Sequence, residues 1–173
     1  RTRGSRAAGA KRFPRKTRAT AHPPQDVGAG GMLADIWGQD IALDSSGQAR
    51  VAANGELVLT EGVDTGVQDI RIRLSTYLGT LFYDKTFGSL LPDWFYEEST
   101  ASSRAALCSE LVMRTEEDPR VTPGSVSASI LKWDDRQVMA RVSWRFIGED
   151  SPLNLVLQAD KSTRELVVRD ASP

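Results

Sequence analysis

Residues 138–146 read Val-Met-Ala-Arg-Val-Ser-Trp-Arg-Phe, and their alternation decides the fold class. Val138, Ala140, Val142, Trp144 and Phe146 share one side of a period-two pattern, against Met139, Arg141, Ser143, Arg145 and then Ile147 on the other. That period belongs to a half-buried strand. Val126 to Trp133 is the strand before it, joined by the turn Asp134-Asp135-Arg136. Leu153 to Leu157 and Leu166 to Val168 complete a run of up to four antiparallel strands.

Upstream the period changes to that of a helix. Val67, Ile70, Leu74, Tyr77 and Leu78 recur at helical spacing over 64–78, with Asp64 as the expected N-cap and Gly79 as the expected left-handed stop. A second helix is expected from Ala101 to Thr115. Leu107, Cys108, Leu111 and Val112 form its buried face, Ser99, Thr100 or Ser102 cap it, and Pro119 closes it. Residues 40–60 alternate in short runs around Asn54-Gly55, which predicts a small hairpin or meander with a type I′ turn. The order hairpin, helix, loop, helix, antiparallel strands gives an α+β fold, with two helices packed on one face of a small, mainly antiparallel sheet.

The net charge of −1 hides an asymmetry. Of the 22 basic residues, eight lie in residues 1–25, where there is no Asp or Glu, so the rest of the chain holds 14 against 23 acidic residues, a net of −9. Residues 1–34 therefore read as an extended basic arm, and 35–173 as the folded domain. A segment this polar cannot bury enough surface to offset its ordering entropy alone. The arm residues expected to meet a partner are Arg3, Arg6, Lys11, Arg12, Arg15, Lys16 and Arg18.

Enzymatic signatures are sparse. There is no glycine-rich phosphate loop, nucleophile elbow or zinc motif, and the single histidine, His22, lies in the arm. The single cysteine, Cys108, sits on an apolar helix face and reads as a small core residue. No disulfide, metal centre or cofactor is expected. No apolar run of membrane-spanning length occurs, and the basic N-terminus is not followed by the apolar core of a secretory signal, so neither membrane insertion nor Sec export is expected. Glu97-Glu98 is the carboxylate pair that a glycosidase would have to use, but two acids just ahead of a helix also simply favour its dipole. The connection 78–96 is unusual in holding Phe82, Tyr83, Phe87, Trp94, Phe95 and Tyr96, with Tyr77 just before it. A connection this long is expected to pack on itself or on a partner.

Residues 67–84, VQDIRIRLSTYLGTLFYD, followed by Phe87-Gly88-Ser89-Leu90-Leu91, resemble the baseplate wedge family of contractile phage tails, the lysozyme-like gene-25-product family. In that family a helix ending in a Thr-x-x-Gly-Glu step leads to an aromatic stretch, a Phe-Gly pair and an acidic loop. Asp40-Ile41-Ala42-Leu43-Asp44 and Gly55 to Gly62 are similar to the Mu-type members, and the likeness spans about residues 36–157. Thr80 stands where the family often has Glu, and Tyr96-Glu97-Glu98-Ser99 where many members have Glu-Pro-Arg or Glu-Pro-Asn.

The resemblance implies a non-enzymatic virion component of the tail baseplate, made in the host cytoplasm and present in six copies around the tail. It would link wedge proteins to the first ring of tail sheath protein and initiate sheath assembly by strand addition between chains. Leu153, Leu155, Leu157, Leu166 and Val168 are the expected strand-addition residues, and Phe87, Trp94, Phe95, Tyr96, Glu97 and Glu98 the expected wedge contacts. The arm is expected to thread against acidic surfaces of tube, sheath or wedge proteins. Nucleic acid, bound through phosphate neutralisation, is its less favoured partner, and a cell-wall glycosidase is the alternative for the domain.

Overall fold

The period-two stretch lies inside a four-stranded antiparallel meander in the computed structural model, which describes residues 36–170 and, for Phe95 and Asp170, the backbone alone. In chain order the elements are β1 (Asp40–Ile41), β2 (Leu59–Thr60), α1 (Val63–Ser75), a 3-10 turn (Leu91–Phe95), α2 (Ala101–Glu116), β3 (Ser127–Trp133), β4 (Gln137–Trp144), β5 (Leu153–Asp160) and β6 (Glu165–Asp170). The fold is α+β, as the sequence predicts. The domain boundary expected near residue 34 and the basic arm lie outside the described residues.

Strand register explains the core. Ala128 pairs with Val142 and Val142 with Leu155, while Ile130, Ala140, Leu157 and Val168 form the neighbouring row across all four strands. Alternate residues share one sheet face, so these rows make a continuous apolar surface. α1 covers it beside β6, and α2 covers it over β3 and β4. Ile70 and Leu74 of α1 and Leu107 and Leu111 of α2 are buried there, and each such side chain contributes about 1.5–3 kcal/mol by leaving water. Tyr77 and Leu78 do not extend the α1 face, because the helix ends at Ser75 and Tyr77 is exposed.

Phe146 continues the alternation one step past β4. It bridges to Val121 and packs edge-on against Trp37 and Trp144, with ring centroids 5.0 Å and 5.8 Å away. A glycine inside a helix costs about 1 kcal/mol relative to alanine. Gly66 of α1 has a packing reason to be there: a Cβ at that position would lie 2.7 Å from the Phe146 ring.

Local signals differ from expectation at three places. The N-cap of α1 is Gly62, with no side-chain cap bond, and Asp64 falls inside the first turn, where its charge favours the helix dipole. Gly79 adopts φ +79 within the turn closed by the Thr80 N–H on the Tyr77 carbonyl, so it does not stop the helix. At 52–56 only Gly55 has positive φ, which gives a type I turn followed by a left-handed glycine in place of type I′. α2 is capped by Thr100, whose Oγ1 accepts the Ser103 N–H at 3.0 Å while Ser103 Oγ accepts the Thr100 N–H at 2.9 Å.

Residues 40–60 form a small β-lobe whose backbone closes into a ring. The Ala42 N–H donates to Val58 O, the Val58 N–H to Arg50 O and the Arg50 N–H to Ala42 O, at 2.8, 3.0 and 2.8 Å. Buried Gln68 ties α1 to this lobe, accepting the Leu43 N–H at 2.8 Å and donating to Ile41 O at 2.9 Å.

Candidate functional site

Strand order leaves two sheet edges, and they are unlike. β3 carries a register irregularity between Ile130 and Lys132, with Leu131 exposed and Lys132 ion-paired to Asp134 at 2.9 Å. Bulges and lysines on an edge discourage further pairing. β6 pairs with β5 without such a shift, and among the described residues no strand lies on its other side. Alongside β6 runs a groove of about 320 Å³ lined by Leu166, Val167 and Val168, by Ile72 and Ser75 of α1, and by the 44–47 turn.

That geometry corrects part of the strand-addition expectation. Leu153, Leu155 and Leu157 belong to β5, which is paired on both sides and so has no free edge to offer. Leu155 and Leu157 are core residues, and Leu153 packs against the core. Leu166 and Val168 are on the edge strand, but Val168 is buried in the core and Leu166 packs against it. Ile72, Ser75 and Val167 were missed as groove residues. Val167 was legible, since it alternates with two inward-facing neighbours. Ile72 and Ser75 were not, because only the tertiary packing sets α1 beside β6.

The connection 78–90 is pinned at its base. The Leu78 N–H donates to Ser89 O at 3.0 Å and the Ser89 N–H to Thr76 O at 2.9 Å, while fully buried Ser89 Oγ donates to Leu74 O at 2.7 Å. Gly88 makes this closure possible: its φ is +117, and a Cβ there would lie 2.8 Å from Thr76 O. Asp84 organises the tip by accepting from Thr86 Oγ1 at 2.7 Å and from the N–H groups of Thr86 and Phe87. The Thr86 hydroxyl, followed by these N–H groups, holds the Asp84 carboxyl below its ordinary range. The tip presents Phe82 and Tyr83, 86% and 73% exposed and edge-on to each other at 5.1 Å.

The expected wedge residues divide by burial. Phe87 is half-buried with Arg73 over its ring at 4.6 Å, and Trp94 packs edge-on to Trp133. Tyr96 is exposed with Arg164 5.5 Å from its ring centre. The Phe95 side chain is outside the described set. Glu97 and Glu98 are exposed, and their anchoring is through the backbone: Lys161 Nζ donates to Glu97 O at 3.0 Å, and Ser103 Oγ and the Thr100 N–H donate to Glu98 O. Neither carboxylate has a hydrogen-bond or ion-pair partner among the described residues. Glu97 lines a shallow cleft of about 310 Å³ together with Asp93. Asp93 accepts the Tyr77 hydroxyl at 3.0 Å, which raises the tyrosine pKa.

Two ion-pair networks join α1 to the end of α2 and the residues just after it. Buried Glu110 accepts the Leu90 N–H and Arg114 Nε, each at 2.9 Å, and Arg114 continues to Glu117, which also takes Arg73 of α1. Arg120 joins Asp118 at 2.6 Å and Asp69 of α1 at 2.7 Å, and this raises its pKa, with Asp118 the larger cause. Half-buried Cys108 has its thiol pKa raised by burial, in keeping with a packing role. The described residues hold no group of three His, Cys, Asp or Glu suited to a metal ion and no helix long and apolar enough to cross a membrane. The arm residues Arg3, Arg6, Lys11, Arg12, Arg15, Lys16 and Arg18, and His22, lie outside the described residues.

No family model matches the chain, and no curated protein does. Among solved structures it is similar to a Geobacter sulfurreducens protein described as a "putative tail lysozyme", with a TM-score of 0.51 and 21% identity over 61% of this chain and 96% of that one. At that identity the likeness is one of fold: the chain shares the α+β architecture of a protein described as belonging to a tail.

Proposed function

We propose that the chain is a structural, non-enzymatic subunit of a contractile phage tail baseplate that starts sheath assembly by accepting a strand along β6. The observation that carries this is the regular edge of β6 bordered by a largely apolar groove, opposite a β3 edge bearing a bulge and a paired lysine. An incoming strand would extend the sheet through backbone hydrogen bonds, and those of its side chains that face α1 would meet Ile72 and Ser75. The tail fold of the solved neighbour and the resemblance of residues 67–91 to the baseplate wedge family support the same assignment. Wedge contact falls to the exposed part of the connection, Phe82, Tyr83, Tyr96, Glu97 and Glu98, with Phe87 and Trp94 supporting it from within. The partners are then the tail sheath protein and the wedge proteins, and the location is the virion baseplate.

Ser75 is exposed on α1 at the groove rim, so Ser75→Trp fills the groove without touching the core. It is expected to abolish acceleration of sheath polymerisation while leaving the urea midpoint unchanged. Nucleation equal to wild type would refute strand acceptance at this edge.

A cell-wall glycosidase is the second candidate, favoured by the neighbour's description and by the cleft that Asp93 and Glu97 share. Peptidoglycan lysis by the purified protein that disappears in Glu97→Gln/Glu98→Gln, with assembly intact, would replace the structural assignment.

A further inference from the structure

Two surfaces are complementary in charge. The first is the sheet face turned away from the helices. On it Ser129, Arg141, Val156 and Arg169 stand in one register row across β3 to β6, and Lys132, Met139, Gln158 and Val167 in the next. A strand spacing of about 4.8 Å puts the Arg141 and Arg169 backbones about 10 Å apart, with Val156 between them. Both arginines are exposed, and neither guanidinium has a hydrogen-bond or ion-pair partner among the described residues; the same holds for the guanidinium of exposed Arg145 just past β4. No acid stands in either row, and Asp160 and Glu165 come only at the turn end of the face. This basic face is local, since the chain from residue 26 onward is acidic overall.

The second surface is the β-lobe. Ile41 pairs with Leu59, and Val51 bridges Leu57. These four have the opposite parity to buried Ala42, and they are 38%, 50%, 60% and 52% exposed in that order. Asp40, Asp44, Glu56, Glu61 and Asp64 of the stretch 40–64 are exposed, with Arg50 as its one basic residue, and Leu59, Glu61 and Asp64 line a pocket together with Arg50 and Arg71 of α1. A clustered apolar patch rimmed by charge marks an interaction surface. Residues 1–25 offer opposite charge but only Phe13 as a large apolar side chain. The sheet face offers cations together with Val156, Val167 and Met139.

We propose that copies of this chain associate head to tail, the basic outer face of one sheet seating the acidic, apolar β-lobe of the next copy. The two patches differ, so the contact is heterologous and generates a ring or an open chain. It uses the face of the sheet and not the β6 edge, so it stands independently of strand acceptance.

The test is the mass of the full chain by light scattering and sedimentation over a concentration series at low salt and at about 1 M salt, where the screening length falls to about 3 Å. Wild type is expected to rise above 18.9 kDa with concentration at low salt and to return to the single-chain mass at high salt. Arg141→Glu/Arg169→Glu and Glu56→Lys/Glu61→Lys are each expected to remain single chains, and their mixture to regain the higher mass because reversed face and reversed lobe match again. Recovery in the mixture also shows that both variants are folded. A single-chain wild type at all concentrations overturns the proposal, as does an oligomer that survives Arg141→Glu/Arg169→Glu. If such an oligomer is lost on neutralising Arg12, Arg15, Lys16 and Arg18, the lobe takes the arm and not the sheet face.

Discussion

Replacing Gly88 by alanine tests the claim that the aromatic connection is closed by backbone contact. Gly88 sits at φ +117, and an added Cβ would lie 2.8 Å from Thr76 O and 3.0 Å from Leu78 Cα, both backbone atoms that cannot turn aside. Gly55 is the internal control, since its φ is +86 but no atom lies within 4 Å of the added carbon. A positive φ costs an L-residue about 1–2 kcal/mol, offset by about 0.4–1 kcal/mol because alanine restricts the unfolded chain. Gly55→Ala should therefore lose about 0.5–1 kcal/mol. Gly88→Ala adds an overpacking cost of about 1–3 kcal/mol, for a total of about 2–4 kcal/mol. With a urea slope near 2 kcal/mol/M, its midpoint should fall by about 1–2 M, against less than about 0.5 M for the control. Equal midpoints for the two variants would refute the backbone clash, and with it the account of why Phe87 is followed by glycine.

Two further outcomes are expected. Glu110→Ala leaves buried Arg114 without its one buried carboxylate partner and the Leu90 N–H unsatisfied; breaking a fully buried pair costs about 3–5 kcal/mol, and because Arg114 also reaches exposed Glu117 the loss should be about 2–3 kcal/mol. A urea midpoint within experimental error of wild type would show that Glu110 does not brace the connection. On acidification, Asp134 should behave as a stabilising carboxylate: Lys132, then the Arg136 and Gln137 N–H groups, lower its pKa from 3.8 to about 2. A folded-state pKa below the unfolded one gives stability that is complete above the ordinary carboxyl range and is lost as pH falls through about 2. Asp44, Asp84 and Asp160 shift in the same direction. The urea midpoint should fall between pH 5 and 2, less steeply in Asp134→Asn, and parallel curves would remove Asp134 from the cause.

The sequence by itself determined the α+β class, both helices, the four C-terminal strands and the inward set from Val138 to Phe146, because periods of two and 3.6 are properties of the local backbone and survive any packing. It also marked Phe87-Gly88 and the aromatic connection as unusual. Tertiary structure alone decided which strand is an edge. β5 and β6 both read as short apolar runs, and only the meander order encloses Leu155 and Leu157 while leaving β6 open beside α1. It decided too that Ile41, Val51, Leu57 and Leu59 stay exposed, although their alternation resembles that of core strands. Alternation states that two faces differ, but which face meets another surface depends on residues far away in the chain, and that information is absent from any local window.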